Sequence, residues 1–459
     1  MKKLMLVCAP VTSRSGYGDH CRDLVWSFLQ HDKYEIKIMD VRWGDCPRNA
    51  LDKNNKNDKQ ILDCILPQPQ LDRQPDIYVD IRIPNEFETH GKFNVGITAG
   101  IETDAVSAKW LEGCNKMDLV IVPSEHSKFG FVNSVYDKVQ NMPDSSQQKV
   151  GEHKLEKPIE VLFEGADEEI YKSLKKDELD INIYDLIEDT IPEKFAFLFL
   201  GQWTKGGYGE DRKDIAKLIK IFYETFANKK KQPALLLKTN GATYSILDRE
   251  ETLRKINDVK SMFPLDWDLP NVYLLHGDFT NDEMNSLYNH PKIKAMVSLT
   301  HGEGFGRPLL EATMTGLSVI TSAWSGHVDF INGEKAILIS GELQQVPKSA
   351  AWKDIVIPES KWFNVDEGTV YKALNYAFQN VHEMKNKGES LMHENREKFT
   401  LNKMSEKLDE IMKQHTKDLP SQVQLKLPKL KKVNKSEPPK IKLPKLKKVT
   451  EDAQYEHSK

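Results

Sequence analysis

Short apolar runs alternate with helical stripes along most of the chain. Lys3 to Ala9 reads as a buried strand, after which Leu24, Val25, Phe28 and Leu29 recur at helical spacing. Tyr34 to Val41, Asp76 to Ile81, Phe93 to Thr98 and Leu119 to Val122 are further strand runs. Residues 49–74 and 137–157 are polar and read as loops or short helices. A second set begins near residue 194. Phe195 to Leu200 is an uninterrupted apolar strand, and Ile215, Leu218, Ile219, Phe222 and Phe226 make a helical stripe. Ala234 to Leu237, Val272 to Leu275, Ala295 to Leu299 and Leu317 to Thr321 follow as strands, with a helix over 308–315 before the last. Strands alternating with helices imply parallel sheets. The pattern therefore predicts an α/β chain with two Rossmann-like domains, 1–165 and 194–366, joined near 165–193. The helical region 367–415 is expected to cross back onto the first lobe.

Charge changes the picture at the end of the chain. Residues 416–459 carry a net charge of +7, which leaves −11 on residues 1–415. In this segment Leu425 to Val433 recurs almost verbatim as Ile441 to Val449, and Pro428 and Pro444 interrupt any helix. It reads as a disordered Lys/Pro-rich extension. Docking to an acidic partner or an anionic membrane surface is its second reading. The acidic body argues against nucleic acid as the partner. No apolar run approaches the roughly 20 residues of a membrane helix, and the short run Leu4 to Val11 lacks a small-residue cleavage site, so it reads as a strand rather than a signal peptide. Five scattered cysteines without a C-x-x-C pair suggest neither a zinc knuckle nor a disulfide framework, and a reducing cytoplasm fits them best.

Candidate chemistry concentrates in residues 295–321. The strand ends in a loop containing Gly302, Gly304 and Gly306, and a helix begins at Pro308, a residue suited to the first helical turn. Glycines let backbone approach an anion closely, and free N–H groups at the helix start point at it. Glu303 in the loop and Glu311 on the first helical turn can both face one ligand, each carboxylate accepting hydrogen bonds from a diol. Carboxylates flanking a phosphate cradle suit a nucleotide sugar.

The string Glu303-Gly304-Phe305-Gly306-Arg307-Pro308-Leu309-Leu310-Glu311-Ala312 resembles the E-x7-E signature of the retaining glycosyltransferases of family 4. Gly316 to Ile320 and the Trp324-Ser325-Gly326-His327 loop continue the likeness. The resemblance implies a GT-B fold, a nucleotide-diphosphate sugar bound mainly to the second lobe, and transfer of a hexose with retention to a glycan or lipid-linked acceptor. It implies no metal and no cofactor beyond that co-substrate. Donor-binding positions would be Gly16, Gly18, Gly304, Phe305, Gly306, Glu311 and Lys238. Catalytic positions would be Glu303 and Lys213, with Arg212 standing in for the family's usual Arg, which Gln202 replaces. Two cations at a departing diphosphate make chemical sense, because negative charge develops there.

The first half resembles the family less specifically. Gly16-Tyr17-Gly18 fits the glycine loop after the first strand, and Glu102, Asp104 and His126 are candidates on the acceptor side. No histidine matches the family's cleft-wall position; His20 and His126 are candidates only. His276, after the Val272 strand, reads as packing. Asp266-Trp267-Asp268 precedes a strand, which places it poorly for a metal on the donor. Two alternatives stay open: a non-catalytic nucleotide-sugar or glycan-binding protein, kept alive by Gln202, and a modifier of DNA bases.

Overall fold

The computed structural model describes residues 2–141, 147–203, 208–241 and 243–419. Residues 420–459, which hold nearly all of the Lys/Pro-rich segment, lie outside the described residues. The first lobe comprises β1 (Lys3–Ala9), α1 (Gly16–Gln30), β2 (Tyr34–Asp40), α2 (Lys56–Cys64), β3 (Ile77–Ile81), β4 (Phe93–Ile97), α3 (Ala108–Cys114) and β5 (Leu119–Val122), then α4 (Glu125–Asn133), β6 (Tyr136–Asn141), β7 (Gln147–His153) and β8 (Ile159–Val161). Six strands pair in parallel in the order β2-β1-β3-β4-β5-β8. Their continuous apolar sequences follow from burial on both faces of the sheet. The pair β6–β7 forms an antiparallel hairpin inside 137–157, where the sequence suggests loops or short helices. Tyr136 packs against the first-lobe core while Val139 and Val150 are half exposed, so the apolar residues are too few for an alternation to mark the hairpin.

After α5 (Ile181–Thr190) the second lobe repeats the plan. It runs β9 (Ala196–Leu200), α6 (Ile215–Phe226), β10 (Ala234–Lys238), α7 (Ile246–Lys260), β11 (Val272–Leu275), α8 (Asn281–Tyr288), β12 (Ile293–Ser298), α9 (Arg307–Met314), β13 (Ser318–Ser322) and β14 (Ile337–Ile339). These six strands are also parallel, in the order β11-β10-β9-β12-β13-β14. The α6 stripe Ile215, Leu218, Ile219, Phe222 and Phe226 is buried against Phe197 and Phe199 of β9. The chain is thus α/β with two Rossmann-like lobes, as the pattern predicts.

Beyond the linker that carries α5, two further connections join the lobes. A hairpin, β15 (Gly341–Gln345) and β16 (Lys361–Val365), forms a strap that reaches the first lobe. Asp104 N–H donates to the Lys361 carbonyl at 2.9 Å, Lys361 N–H donates to the Asp104 carboxylate at 2.7 Å, and Ile355 packs against first-lobe core residues. The chain then continues as α10 (Glu367–Gln379), α11 (Val381–Lys398) and α12 (Leu401–Thr416). Leu401, Met404, Leu408, Ile411 and Met412 of α12 join the core around β1 and α1.

Candidate functional site at the meeting of the lobes

The loop from β12 to α9 is held from beneath by its own lobe. Ser322 Oγ donates to the Thr300 carbonyl at 2.9 Å, Glu303 N–H donates to Ser325 Oγ at 2.9 Å, and Gly326 N–H donates to the Glu303 carbonyl at 2.9 Å. His301 is buried with its ring stacked on Trp362 at 4.2 Å, and its Nδ1 donates to the Phe363 carbonyl at 2.7 Å. Gly306 caps α9 with φ +99°, in the left-handed region that favours glycine. Phe305 contributes only its backbone to this surface, because its ring is buried against Phe330.

Arg212 and Lys213 lie in the turn before α6. Asp211 fixes that turn by accepting from Lys213 N–H at 3.1 Å and Ile215 N–H at 3.2 Å. Lys213 Nζ pairs with one oxygen of Glu303, and Arg212 Nη1 bonds the other at 3.1 Å. Arg212 Nε also lies 3.7 Å from Glu102. Burial alone would raise the Glu303 carboxyl; the Lys213 and Arg212 cations outweigh it and hold the group at about 2. Burial depresses Lys213 despite its carboxylate partner. A carboxylate and two basic side chains therefore meet in one pocket, with Glu303 and Lys213 buried and Arg212 at its partly exposed edge.

Glu311 stands apart from that cluster. It lies on the second turn of α9, not the first, and receives Arg307 Nε at 2.9 Å and Tyr288 OH at 3.4 Å. Arg307 also reaches across to Asp23 of α1. Burial raises Glu311 to about 7, against the pull of Arg307, and raises nearby Glu164 to about 8. The two motif glutamates are thus driven in opposite directions, Glu303 down by its two cations and Glu311 up by burial that Arg307 does not offset.

From the first lobe, the loop after β4 lies directly on the glycine loop. A Cβ at Gly302 would collide with the Glu102 carbonyl, and one at Gly304 with the Ala99 carbonyl. Ser124, the cap of α4, donates its hydroxyl to the Gly304 carbonyl at 2.6 Å. Gly16 and Gly18 are not in a loop: they form the first turn of α1, capped by Ser15, which accepts from Gly18 N–H. A Cβ at Gly16 would meet nothing within 4 Å, whereas one at Gly18 would strike the Ser13 carbonyl.

The remaining candidates fall into structural settings. Asp104 clamps the strap. His126 packs edge-on to Trp324 at 4.5 Å, and burial lowers it to about 4. His20 is buried, and that burial, with Arg307 nearby, lowers it to about 3. Lys238 Nζ donates to the Gly277 carbonyl at 2.6 Å and lies 4.7 Å from the Phe279 ring; burial lowers it to about 8. His276 Nε2 lies 2.8 Å from Asp248. Among the described residues, no group of three or more His, Cys, Asp or Glu side chains is placed to hold a metal ion.

Arg307, Asp23, Glu164, Tyr288 and Trp362 escape the sequence reading. Arg307 occupies a variable position of the motif, and the others come from four distant segments without a local pattern.

No protein-family model matches the sequence, and no curated protein matches it. Solved structures do match. HepE of Anabaena in complex with UDP and glucose aligns with TM-score 0.55 at 12% identity, covering 90% of this chain and 100% of that one. Sucrose-phosphate synthase of Thermosynechococcus elongatus aligns at 0.59 and 11%, covering 90% and 99%. A glycosyltransferase of Rickettsia africae aligns at 0.58 and 13%, covering 91% and 99%. At such identities the likeness is one of fold, and the fold is GT-B.

Proposed function

We propose that the protein is a glycosyltransferase that moves a hexose from a nucleotide-diphosphate sugar to a glycan or lipid-linked acceptor, with retention. The observation that carries this is the convergence of Lys213 and Arg212 on Glu303, in a glycine loop at the start of α9. The GT-B fold supports it, and HepE, which shares that fold, is described in complex with UDP-glucose.

In this reading the sugar's anomeric C–O bond to the diphosphate breaks as the acceptor oxygen bonds to the same carbon. The diphosphate leaves with the bonding pair and takes the acceptor proton. Lys213 and Arg212 stabilise the departing charge, so the step needs no metal. Glu303 orients both cations and accepts from a sugar hydroxyl. Glu311 accepts from the ribose diol. The lobes exclude water that would otherwise hydrolyse the donor. A reducing cytoplasmic setting fits five cysteines that are all unpaired.

A thermal-shift screen across UDP-, GDP- and ADP-sugars identifies the donor. Slow hydrolysis of that donor by water, read as nucleotide diphosphate release, is then followed with wild type and Glu311→Ala. Release by wild type that Glu311→Ala loses supports the enzyme; stabilisation by a donor with no release from either protein favours the non-catalytic binding reading.

A further inference from the structure

The second lobe has a face that sugar transfer does not use. It consists of the loop 261–269, after α7, and the connection 227–233 between α6 and β10. The loop is sorted by side chain. Phe263 and Leu269 pack inward against the lobe core, and the Phe263 ring meets Tyr223 edge-on at 5.4 Å. Met262 and Leu265 point out, 58% and fully exposed, and Trp267 is 39% exposed with one side of its ring on Phe263 at 5.8 Å. Backbone bonds fix this arrangement, with Phe263 N–H on the Lys260 carbonyl at 3.2 Å and Trp267 N–H on the Pro264 carbonyl at 3.1 Å. Three large apolar side chains within six residues are thus presented to water by a loop whose other side is anchored. Single exposed apolar residues need no explanation, but a held cluster does.

Lysines surround it. Asn228 N–H donates to the Asp268 carbonyl at 2.8 Å, and Asp268 N–H donates to Asn228 Oδ1 at 2.8 Å. Gln232 Nε2 adds a bond to the same carbonyl at 2.8 Å. These bonds pin the lysine-bearing connection beside the apolar loop. Lys230 and Lys231 on that connection are exposed, as is Lys260 at the end of α7. Lys229 is spoken for, with its Nζ 2.7 Å from Asn375. Asp266 and Asp268 are the loop's own opposing charges, and exposed Asp258 on the last turn of α7 is paired with Arg254 at 2.8 Å.

We propose that this face docks the protein on an anionic lipid bilayer. Met262 and Leu265 enter the acyl boundary, the Trp267 indole sits at headgroup depth, and Lys230, Lys231 and Lys260 lie on lipid phosphates. A bilayer fits the observations better than a protein groove does: full exposure of Leu265 marks a convex tip, and exposed Lys230, Lys231 and Lys260 on the flanking segments give it anionic headgroups to meet. The proposal is independent of the transfer reaction.

Co-sedimentation of the full-length protein with vesicles tests it, using phosphatidylcholine alone or mixed with phosphatidylglycerol. Wild type is expected to pellet with the anionic vesicles and to stay in solution with the neutral ones. Met262→Ser/Leu265→Ser is expected to lower partitioning roughly tenfold or more, from the apolar surface removed. Lys230→Gln/Lys231→Gln is expected to lower it about fivefold per lysine. Thermal melts of both variants check that the fold is intact. Two results overturn the proposal: wild type that does not pellet with anionic vesicles, and a folded Met262→Ser/Leu265→Ser variant that pellets as well as wild type, which would assign membrane binding to the basic segment 416–459.

Discussion

Ser124 Oγ lies 2.6 Å from the Gly304 carbonyl, so a hydroxyl of the first lobe holds the loop from which the second lobe presents Glu303. The glycine beneath it has no room for a side chain, because a Cβ would collide with Ala99. Gly304→Ala is therefore expected to force the lobes apart. Overpacking of this kind costs about 1–3 kcal/mol, and here the obstacle is backbone. Small-angle scattering should show a larger radius of gyration than wild type, with a lower Tm; an unchanged radius would mean that the glycine does not set the approach of the lobes.

Lys213 and Glu303 make a buried pair, and removing either partner has a different signature. Glu303→Gln leaves two cations without a full counter-charge, and breaking a buried pair in that way costs about 3–5 kcal/mol. Lys213→Ala removes the cation assigned to the leaving group, and kcat is expected to fall about 100- to 1000-fold. Denaturation curves and turnover measured on both variants check this. Lys213→Ala with wild-type turnover would remove it from the reaction.

Burial raises the Glu164 carboxyl to about 8, so the folded state holds a proton there that the unfolded chain releases near its ordinary value of 4.5. Stability from such a group is lost as pH rises between those two values. Glu164→Gln cannot ionise and escapes the loss. Buried His20 and His126, whose values are lowered, act in the opposite sense at low pH, so the variant-minus-wild-type difference is the useful readout. That difference in Tm should grow in favour of Glu164→Gln from about pH 5 to about pH 8. A constant difference would contradict a protonated Glu164.

Gly16 supplies a cleaner probe of the first lobe. It lies on the first turn of α1 with open space around its Cα, so Gly16→Ala should leave Tm unchanged or raise it slightly. A rise in KM for the donor, with Tm intact, would show that a ligand approaches this backbone. Unchanged KM would release Gly16 from the donor site.

The sheets were legible because strands such as Phe195–Leu200 are apolar throughout, and the stripe on α6 was legible because one face is buried. The β6–β7 hairpin was not, because it buries little beyond Tyr136. Nor was the strap: its clamp is backbone-to-Asp104, which leaves no side-chain pattern except a lone aspartate. The glycine loop announced itself, yet the partners of its two glutamates did not. Tyr288 reaches Glu311 from α8, and Arg307 meets Asp23 across the two lobes, and sequence spacing carries no record of either contact. The helix start shifted Glu311 by one position, from the first turn into the second, for a local reason: α9 begins at Arg307, one residue before the proline.

The central claim is that Lys213 and Arg212, gathered on Glu303, serve the departure of a nucleotide diphosphate. It is tested most directly by the rate of nucleotide diphosphate release as water slowly hydrolyses the stabilising sugar nucleotide in place of the acceptor, measured for wild type and for Lys213→Ala at saturating donor. Release by wild type, slowed about 100-fold or more in the folded variant, is the predicted result. Equal rates in the two proteins would contradict it.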